Sequence, residues 1–435
     1  MVRPLTLQHW AEMLRAHAGS AIWSASEQGI GPLVQLLLTA VLLRTLGTAD
    51  FAVWAIGISL IGLSQLVSAG AGFSALKHVS ADLGAGRPEL ARQAIRSALA
   101  LALGGGLLAT LAAVLLAPVV AAHGFRQLGP LTSVSSMLML CGAGALFNEI
   151  DSVFACAMRG AQRFDRAAHV ECSGRVLMAV MILWLALRGA GVVHLFGVWV
   201  GLLALKAGIK GLAVMRMFAS HELLLPSFSR EPMRRILKFG QWQWLQAAGT
   251  TLFTSVDQLV VGSVLGAAAL SRYSVCLQLA QYVHLVPSVL LQILFPRISA
   301  RGPMIGAVRG NQILDTATVL AAGAAGVLGC GLALAAGPVL SRWAGPEFAD
   351  SNKGLLRLLI AAHVVLALNI GGYYVLLATG RAARLAAVVL GAGALQLMGV
   401  ILAAPFGLLA VAGSRFIYSA STAALWKIAR YRDGS

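Results

Sequence analysis

Three stripes of polar side chains recur at helical spacing and can hydrogen-bond a polar solute. Gln243, Gln246, Thr250, Thr254 and Asp257 follow steps of three and four. So do Ser274, Gln278, Gln281, His284, Ser288 and Gln292, and a third set is Ser24, Glu27, Gly31 and Gln35. Residues so spaced share one face of an α-helix. Subtracting 219 from Gln243, Gln246, Thr250 and Thr254 lands on the four residues of the third stripe. The face therefore occurs twice. It serves either as glue between packed membrane helices or as the wall of a water-filled cavity between two similar halves.

Ionisable groups inside apolar sequence add a second kind of chemistry. Lys206 and Lys210 lie one turn apart, Glu171 precedes Arg175 by one turn, and Arg415 sits mid-segment. A charge near a bilayer centre costs at least ~2.5–3.5 kcal/mol on insertion scales, so each must face protein or water. Glu171 and Arg175 have the spacing of an ion pair. Lys206 has no acidic neighbour on its own helix, which leaves an anion site or a pair with another helix; Lys210 does the same or snorkels to the surface. Asp257 and Glu27 either carry a coupling proton or sodium ion or pair with a base. His284 and His363 lack any H-E-x-x-H pattern, and the five cysteines are scattered without ligand spacing. No phosphate-binding or dinucleotide motif occurs. The expectation is a non-enzyme with no metal and no cofactor beyond a coupling H+ or Na+.

The elements that carry these residues are membrane spans. The chain is 58% hydrophobic and 11% charged, against roughly 25% charged in soluble domains. About twelve helical spans are predicted, each near the ~20 residues that cross a bilayer: 20–43, 52–76, 97–121, 131–157, 167–187, 191–215, 239–263, 269–295, 313–337, 354–378, 384–404 and 406–427. Leu5–Ala16 reads as a short interfacial helix, not a cleaved signal. The net charge of +17 suggests nucleic acid, but its placement argues against that partner. Basic residues gather in alternate loops, around Lys77, Arg92, Arg163, Arg235, Arg297, Arg381 and Arg430, and thin out in the others. This is the positive-inside pattern, and it puts both termini in the cytoplasm.

A repeat organises the spans into two halves. Leu46-Gly47 and Leu265-Gly266 match at the offset of the stripes, Lys77 and Arg297 fall at nearly equivalent places, and Gly160 falls near Gly380. The predicted units are 1–218, a polar linker 219–238 and 239–435. Its second part, Arg230–Lys238, has the pattern of a basic amphipathic helix. Two similar halves in a membrane place a substrate path at their interface.

The residues then resemble a known family. Arg44-Thr-Leu-Gly-Thr-Ala-Asp-Phe-Ala-Val-Trp54, Gly70-Ala-Gly-Phe-Ser-Ala-Leu-Lys-His-Val-Ser80 and Arg159-Gly-Ala-Gln-Arg-Phe164 come first. Lys238-Phe-Gly-Gln-Trp242, Val256-Asp-Gln-Leu-Val-Val-Gly262, Val264-Leu-Gly266 and Leu294-Phe-Pro-Arg-Ile-Ser299 follow, then Trp343-Ala-Gly-Pro-Glu-Phe348 and Ala378-Thr-Gly-Arg381. In order and spacing they resemble the bacterial polysaccharide (O-antigen-type) flippases of the multidrug/oligosaccharidyl-lipid/polysaccharide exporter superfamily. The resemblance implies an all-α polytopic protein with two six-helix lobes. The first, second, seventh and eighth spans would line a central cavity. The implied substrate is an undecaprenyl-pyrophosphate oligosaccharide crossing the bacterial inner membrane, with membrane lipids, a polysaccharide polymerase and export proteins as partners. The family often has an arginine where this chain has Gln258, which moves any anion-binding role elsewhere. Expected cavity residues are Glu27, Gln35, Lys77, Lys206, Gln243, Gln246, Thr250, Asp257, Gln278, Gln281, His284, Arg297 and Arg415. A cation-coupled multidrug exporter of the same superfamily is the alternative, and a membrane glycosyltransferase or polymerase a more distant one.

Overall fold

Glycine interrupts the long apolar helices at matching places in the two halves. In the computed structural model, which describes residues 7–126, 130–291 and 307–430, Gly47 has φ 76° and ψ 178° and Gly266 has φ 82° and ψ −177°. That conformation ends an α-helix and is open to a residue without a Cβ. Gln35 and Ile58 lie on opposite sides of Gly47, and a straight helix would separate them by about 34 Å. Both line one pocket. Helix α1 (Leu7–Gly84) is therefore a hairpin of two arms. The second half repeats the device, because Ser274 and Gln258 hydrogen-bond at 2.9 Å across Gly266.

Every regular element among the described residues is helical. After α1 come α2 (Pro88–Gly124), α3 (Leu131–Gly160), α4 (Phe164–Leu187) and α5 (Val192–Phe218). The second half holds α6 (Arg230–Thr254), α7 (Val256–Val260), α8 (Gly266–Leu291), α9 (Ala307–Leu334), α10 (Ala336–Ala344), α11 (Pro346–Leu366), α12 (Asn369–Ala378), α13 (Ala382–Ala403), α14 (Leu408–Ala423) and α15 (Leu425–Ile428). Among the described residues, ten stretches are long and apolar enough to cross a membrane. Two of them, Val34–Leu63 and Val256–Leu291, contain the turns at Gly47 and Gly266. Counted on both sides of those turns, the passes agree with the twelve that hydropathy predicts. The repeat needs one adjustment. The left-handed residue that ends α3 is Gln162 (φ 60°), so Gly380 (φ 71°) matches it and not Gly160. Arg230–Lys238 forms the first turns of α6 and runs straight into the seventh pass.

Side chains sort by solvent. Leu107, Leu108, Leu111, Leu115 and Leu116 of α2, and Val319, Leu320 and Val327 of α9, are exposed apolar rows that suit lipid. Trp54, Phe196, Val261, Tyr273 and Leu340 belong to one buried cluster that reaches across both halves.

Glycines hold the polar helix α6 in place. A Cβ on Gly249 would lie 2.5 Å from the Val389 carbonyl of α13, and one on Gly393 would lie 2.6 Å from the Gly249 oxygen. On the other flank a Cβ on Gly70 would lie 2.9 Å from the Gly240 oxygen. Small residues let membrane helices approach backbone to backbone. Beyond this second contact, Ser74 Oγ donates to the Ile236 oxygen at 2.9 Å, and Arg235 reaches the buried Asp82 carboxylate at 3.2 Å. His78 lies against Arg235, and burial followed by that charge lowers its pKa. This contact is therefore at full strength above pH 6.5, the ordinary histidine value, and weakens as acid protonates the ring.

Gly249→Val and Gly393→Val should each cost about 1–3 kcal/mol through forced separation of α6 and α13. Gly323→Val, where a Cβ meets open space, should leave thermal unfolding in detergent unchanged. Equal behaviour of the three variants would contradict the close approach.

Candidate functional site

Two spaces that share Gln281 in their linings receive polar residues of the stripes. The first lies between the lobes. Gln35 and Thr39 come from the first arm of α1, Phe51, Trp54 and Ile58 from the second, Gln258 from α7, and Ser274, Gln278 and Gln281 from α8. It encloses about 170 Å³. Thr39 Oγ1 donates to Gln278 Oε1 at 2.5 Å across the lobe interface. Among the described residues, none that lines it is charged. The second space, about 470 Å³, lies within the C-terminal lobe among α6, α8, α11, α12, α13 and α14. Thr250, Gln281 and His284 line it, together with His363, Asn369, Tyr373, Tyr374 and Tyr418. Gln281 borders both spaces. Gln246 is at the rim, where its Nε2 donates to the Tyr373 hydroxyl at 2.6 Å.

The charged residues are paired inside the protein, Glu171 with Arg175 at the expected spacing and Lys206 with partners on other helices. Lys206 is not an open anion site. Its Nζ sits 3.0 Å from Glu171 Oε2 and 3.3 Å from Asp151 Oδ2, and Lys210 Nζ sits 2.7 Å and 2.9 Å from the same two oxygens. Arg175 Nε adds a contact to Glu171 Oε1 at 2.8 Å. The partners come from α3 and α4, so spacing along the Lys206 helix could not reveal them. Two glycines make room. A Cβ on Gly174 would strike the Lys206 stem at 2.9 Å, and one on Gly31 would overlap the Arg175 guanidinium.

Asp257 is also corrected. It is fully buried and does not face the groove. Arg415 Nη1 donates to its Oδ2, Tyr273 OH donates to the same oxygen, and the Gln258 N–H donates to Oδ1 at 2.8 Å. Arg415, likewise without exposed surface, lies with its guanidinium carbon 4.0 Å from the Phe253 ring centroid. Burial makes such pairing obligatory, since a lone charge in a low-dielectric interior is unstable.

The remaining expected residues divide simply. Gln35, Gln278 and Gln281 line the interlobe groove, and Thr250, Gln281 and His284 line the second cavity. Lys77 is exposed beyond the span. The side chains of Glu27 and Gln243, and Arg297 entirely, lie outside the described residues. Sequence reasoning missed Asp151, Thr39, Asn369 and the Tyr373–Tyr374 pair. Asp151 had a signal: a carboxylate in the fourth span demands a cation from another span. The tyrosines had none, because tyrosine in an apolar span has the pattern of a core residue.

Arg415→Met should destabilise the protein by about 3–5 kcal/mol, because it strands the Asp257 charge. Adding Asp257→Asn should recover much of that loss. Additive effects of the two substitutions on unfolding would show that the residues are not coupled.

The fold has solved relatives. It is similar to an inward-facing multidrug resistance MATE family transporter of the MOP superfamily, at 14% identity over 94% of this chain and 96% of that one, with a TM-score of 0.74. It is similar to an outward-facing transporter of the same description at 16% identity over 94% of each chain, TM-score 0.64. A third is a MOP superfamily transporter from Pyrococcus furiosus, described by the reverse polarity of its binding pocket, at 16% identity over 94% and 93%, TM-score 0.60. At these identities the likeness shows the fold alone. No curated protein matches the sequence. A model of the polysaccharide biosynthesis protein family matches residues 41–302. The match runs from the first hairpin through α8, more than half of the chain, and the chain belongs to the polysaccharide biosynthesis protein family.

Proposed function

We propose that the protein is a flippase that moves an undecaprenyl-pyrophosphate-linked oligosaccharide from the cytoplasmic to the periplasmic leaflet of the bacterial inner membrane, for surface polysaccharide biosynthesis. The observation that carries this reading is the lining of the interlobe groove, whose polar groups among the described residues are amide and hydroxyl, from Gln35, Thr39, Gln258, Ser274, Gln278 and Gln281. Such groups exchange hydrogen bonds with sugar hydroxyls one for one, and none of them binds tightly enough to trap a passing chain. The lipid tail stays in the bilayer. Lys77 and Arg297 capture the pyrophosphate at the cytoplasmic mouth through charge-assisted hydrogen bonds. Both termini are cytoplasmic, and a polymerase and export proteins receive the glycan outside.

The multidrug-exporter reading shares the fold but needs carboxylates open to a cationic solute. Asp151, Glu171 and Asp257 are each engaged by lysine or arginine. A coupling H+ or Na+ then falls to Glu27, because Arg415 already neutralises Asp257. Catalysis has no support in the residue set, and we read the chain as a transporter without a cofactor.

In a bacterial strain lacking its own lipid-linked saccharide exporter, the protein should restore the surface glycan. Gln278→Leu and Gln281→Leu should abolish restoration at unchanged protein level. Resistance to cationic drugs without glycan restoration would favour the exporter instead.

A further inference from the structure

The two lobes are alike in backbone and unlike in chemistry. The N-terminal lobe holds the ion cluster around Glu171, and the C-terminal lobe holds a cavity of about 470 Å³ with polar and aromatic lining. That volume lies within the ~300–1,000 Å³ of small-molecule sites. We propose that this cavity is a sugar-binding subsite, which holds one uncharged pyranose ring of the lipid-linked glycan while the pyrophosphate lies elsewhere on the path. The proposal rests on the flippase reading and adds to it a place and a ligand class.

Hydrogen-bonding chemistry carries the assignment. His363 is 2% exposed and lines the cavity. Its Nδ1 lies 2.8 Å from the Leu359 carbonyl oxygen, which can only accept, so Nδ1 holds the proton and Nε2 offers a lone pair. Nε2 has no partner in the protein. That nitrogen is itself buried, so the groups open to a ligand are those of the other lining residues. His284 Nε2 donates to Asn369 Oδ1 at 3.4 Å by the same logic, and Asn369 Nδ2 donates to Thr422. The cavity thus offers the tethered His284–Asn369 pair beside the hydroxyls of Thr250 and Thr254 and the amide of Gln281. A sugar hydroxyl is both donor and acceptor and matches such a mixture. The lining contains no acidic side chain, lysine or arginine, so neither an organic cation nor a phosphate finds a counter-ion there.

Aromatic placement supplies the second half of a sugar site. Tyr373 and Tyr374 meet edge to face with centroids 5.4 Å apart. Both hydroxyls are tethered, to Gln246 and to Ser288. Tethering fixes the rings as walls against which the C–H face of a pyranose can lie. Phe253 is not available for this, since Arg415 and Tyr418 cover it at 4.0 Å and 4.1 Å.

Helix interruptions converge on the same space. The seventh pass breaks at Ser255 (φ −125°, ψ −32°), next to Phe253 and Thr254 in the lining. The tenth breaks between α11 and α12, where Leu368 N–H turns to the Val365 oxygen at 3.1 Å and Ile370 N–H to the Ala367 oxygen at 3.3 Å. Interrupted membrane helices are tolerated where they line a cavity, and they mark substrate sites. Gln281, shared with the interlobe groove, is the point of entry.

The test compares three probes on the full chain in detergent: undecaprenyl pyrophosphate, the same lipid carrying one N-acetylhexosamine, and the same lipid carrying one hexose. The wild type should bind at least one glycosylated lipid about tenfold more tightly than the bare lipid, and Tyr374→Leu and Asn369→Leu should remove that tenfold gain. Bare-lipid binding should stay unchanged in both variants, which also shows that they fold. If both lipid classes bind the wild type alike, or if the variants keep the sugar increment, the subsite is refuted while the flippase reading survives. If no lipid binds the wild type, the flippase reading fails and the subsite falls with it.

Discussion

No charge can be left alone in the membrane interior, and the architecture of this protein is arranged around that constraint. Each half meets it with pairs that cross between helices. Asp151 and Glu171 hold Lys206, Lys210 and Arg175 across α3, α4 and α5. Asp257 and Tyr273 hold Arg415 across α7, α8 and α14. A buried pair adds little net stability over an apolar core of the same shape, but loss of one partner is severe. Such contacts therefore fix which helices meet and in what register. With these charges paired, the described lining of the groove between the lobes consists of amide, hydroxyl and apolar side chains.

The two glycine turns explain how the neutral surface is assembled. Each folds a hairpin so that residues far apart in the chain reach the same wall, Gln35 with Ile58 in one half and Gln258 with Gln281 in the other. The α6 helix closes the structure through glycine contacts on two flanks, to Gly70 and to Gly393. Its N-terminal end adds the Arg235–Asp82 contact beside His78. The same small-residue packing that admits a polar helix into the bilayer also ties the two lobes together there. Opening of the groove on that flank has to separate Gly70 from Gly240.

Much of this was legible in the sequence, for definite physical reasons. The offset between Gly47 and Gly266 is visible because a positive φ restricts residue choice, and their backbone angles agree within 6°. The stripes on the seventh and eighth passes are visible because helical period is strict, and Gln278, Gln281, Thr250 and His284 do face open space. Charge partnership was not legible. Spacing along one helix exposes Glu171 with Arg175 but not Lys206 with Asp151, which depends on how α3 and α5 pack. Asp257 shares its stripe with cavity residues yet turns into the core, because the helix is interrupted at Ser255 just before it and the face rotates. The C-terminal cavity was hidden for another reason: tyrosines in an apolar span look like core until a break in the helix opens a space beside them.

The central claim is that internal neutralisation leaves a path suited to a neutral glycan on a lipid carrier. The most direct measurement is leaflet exchange of a fluorescent undecaprenyl-pyrophosphate oligosaccharide in liposomes containing the purified protein, beside uptake of a cationic dye by the same vesicles. The account predicts rapid appearance of the labelled saccharide on the opposite leaflet and no dye transport. Dye transport with no movement of the saccharide would contradict it.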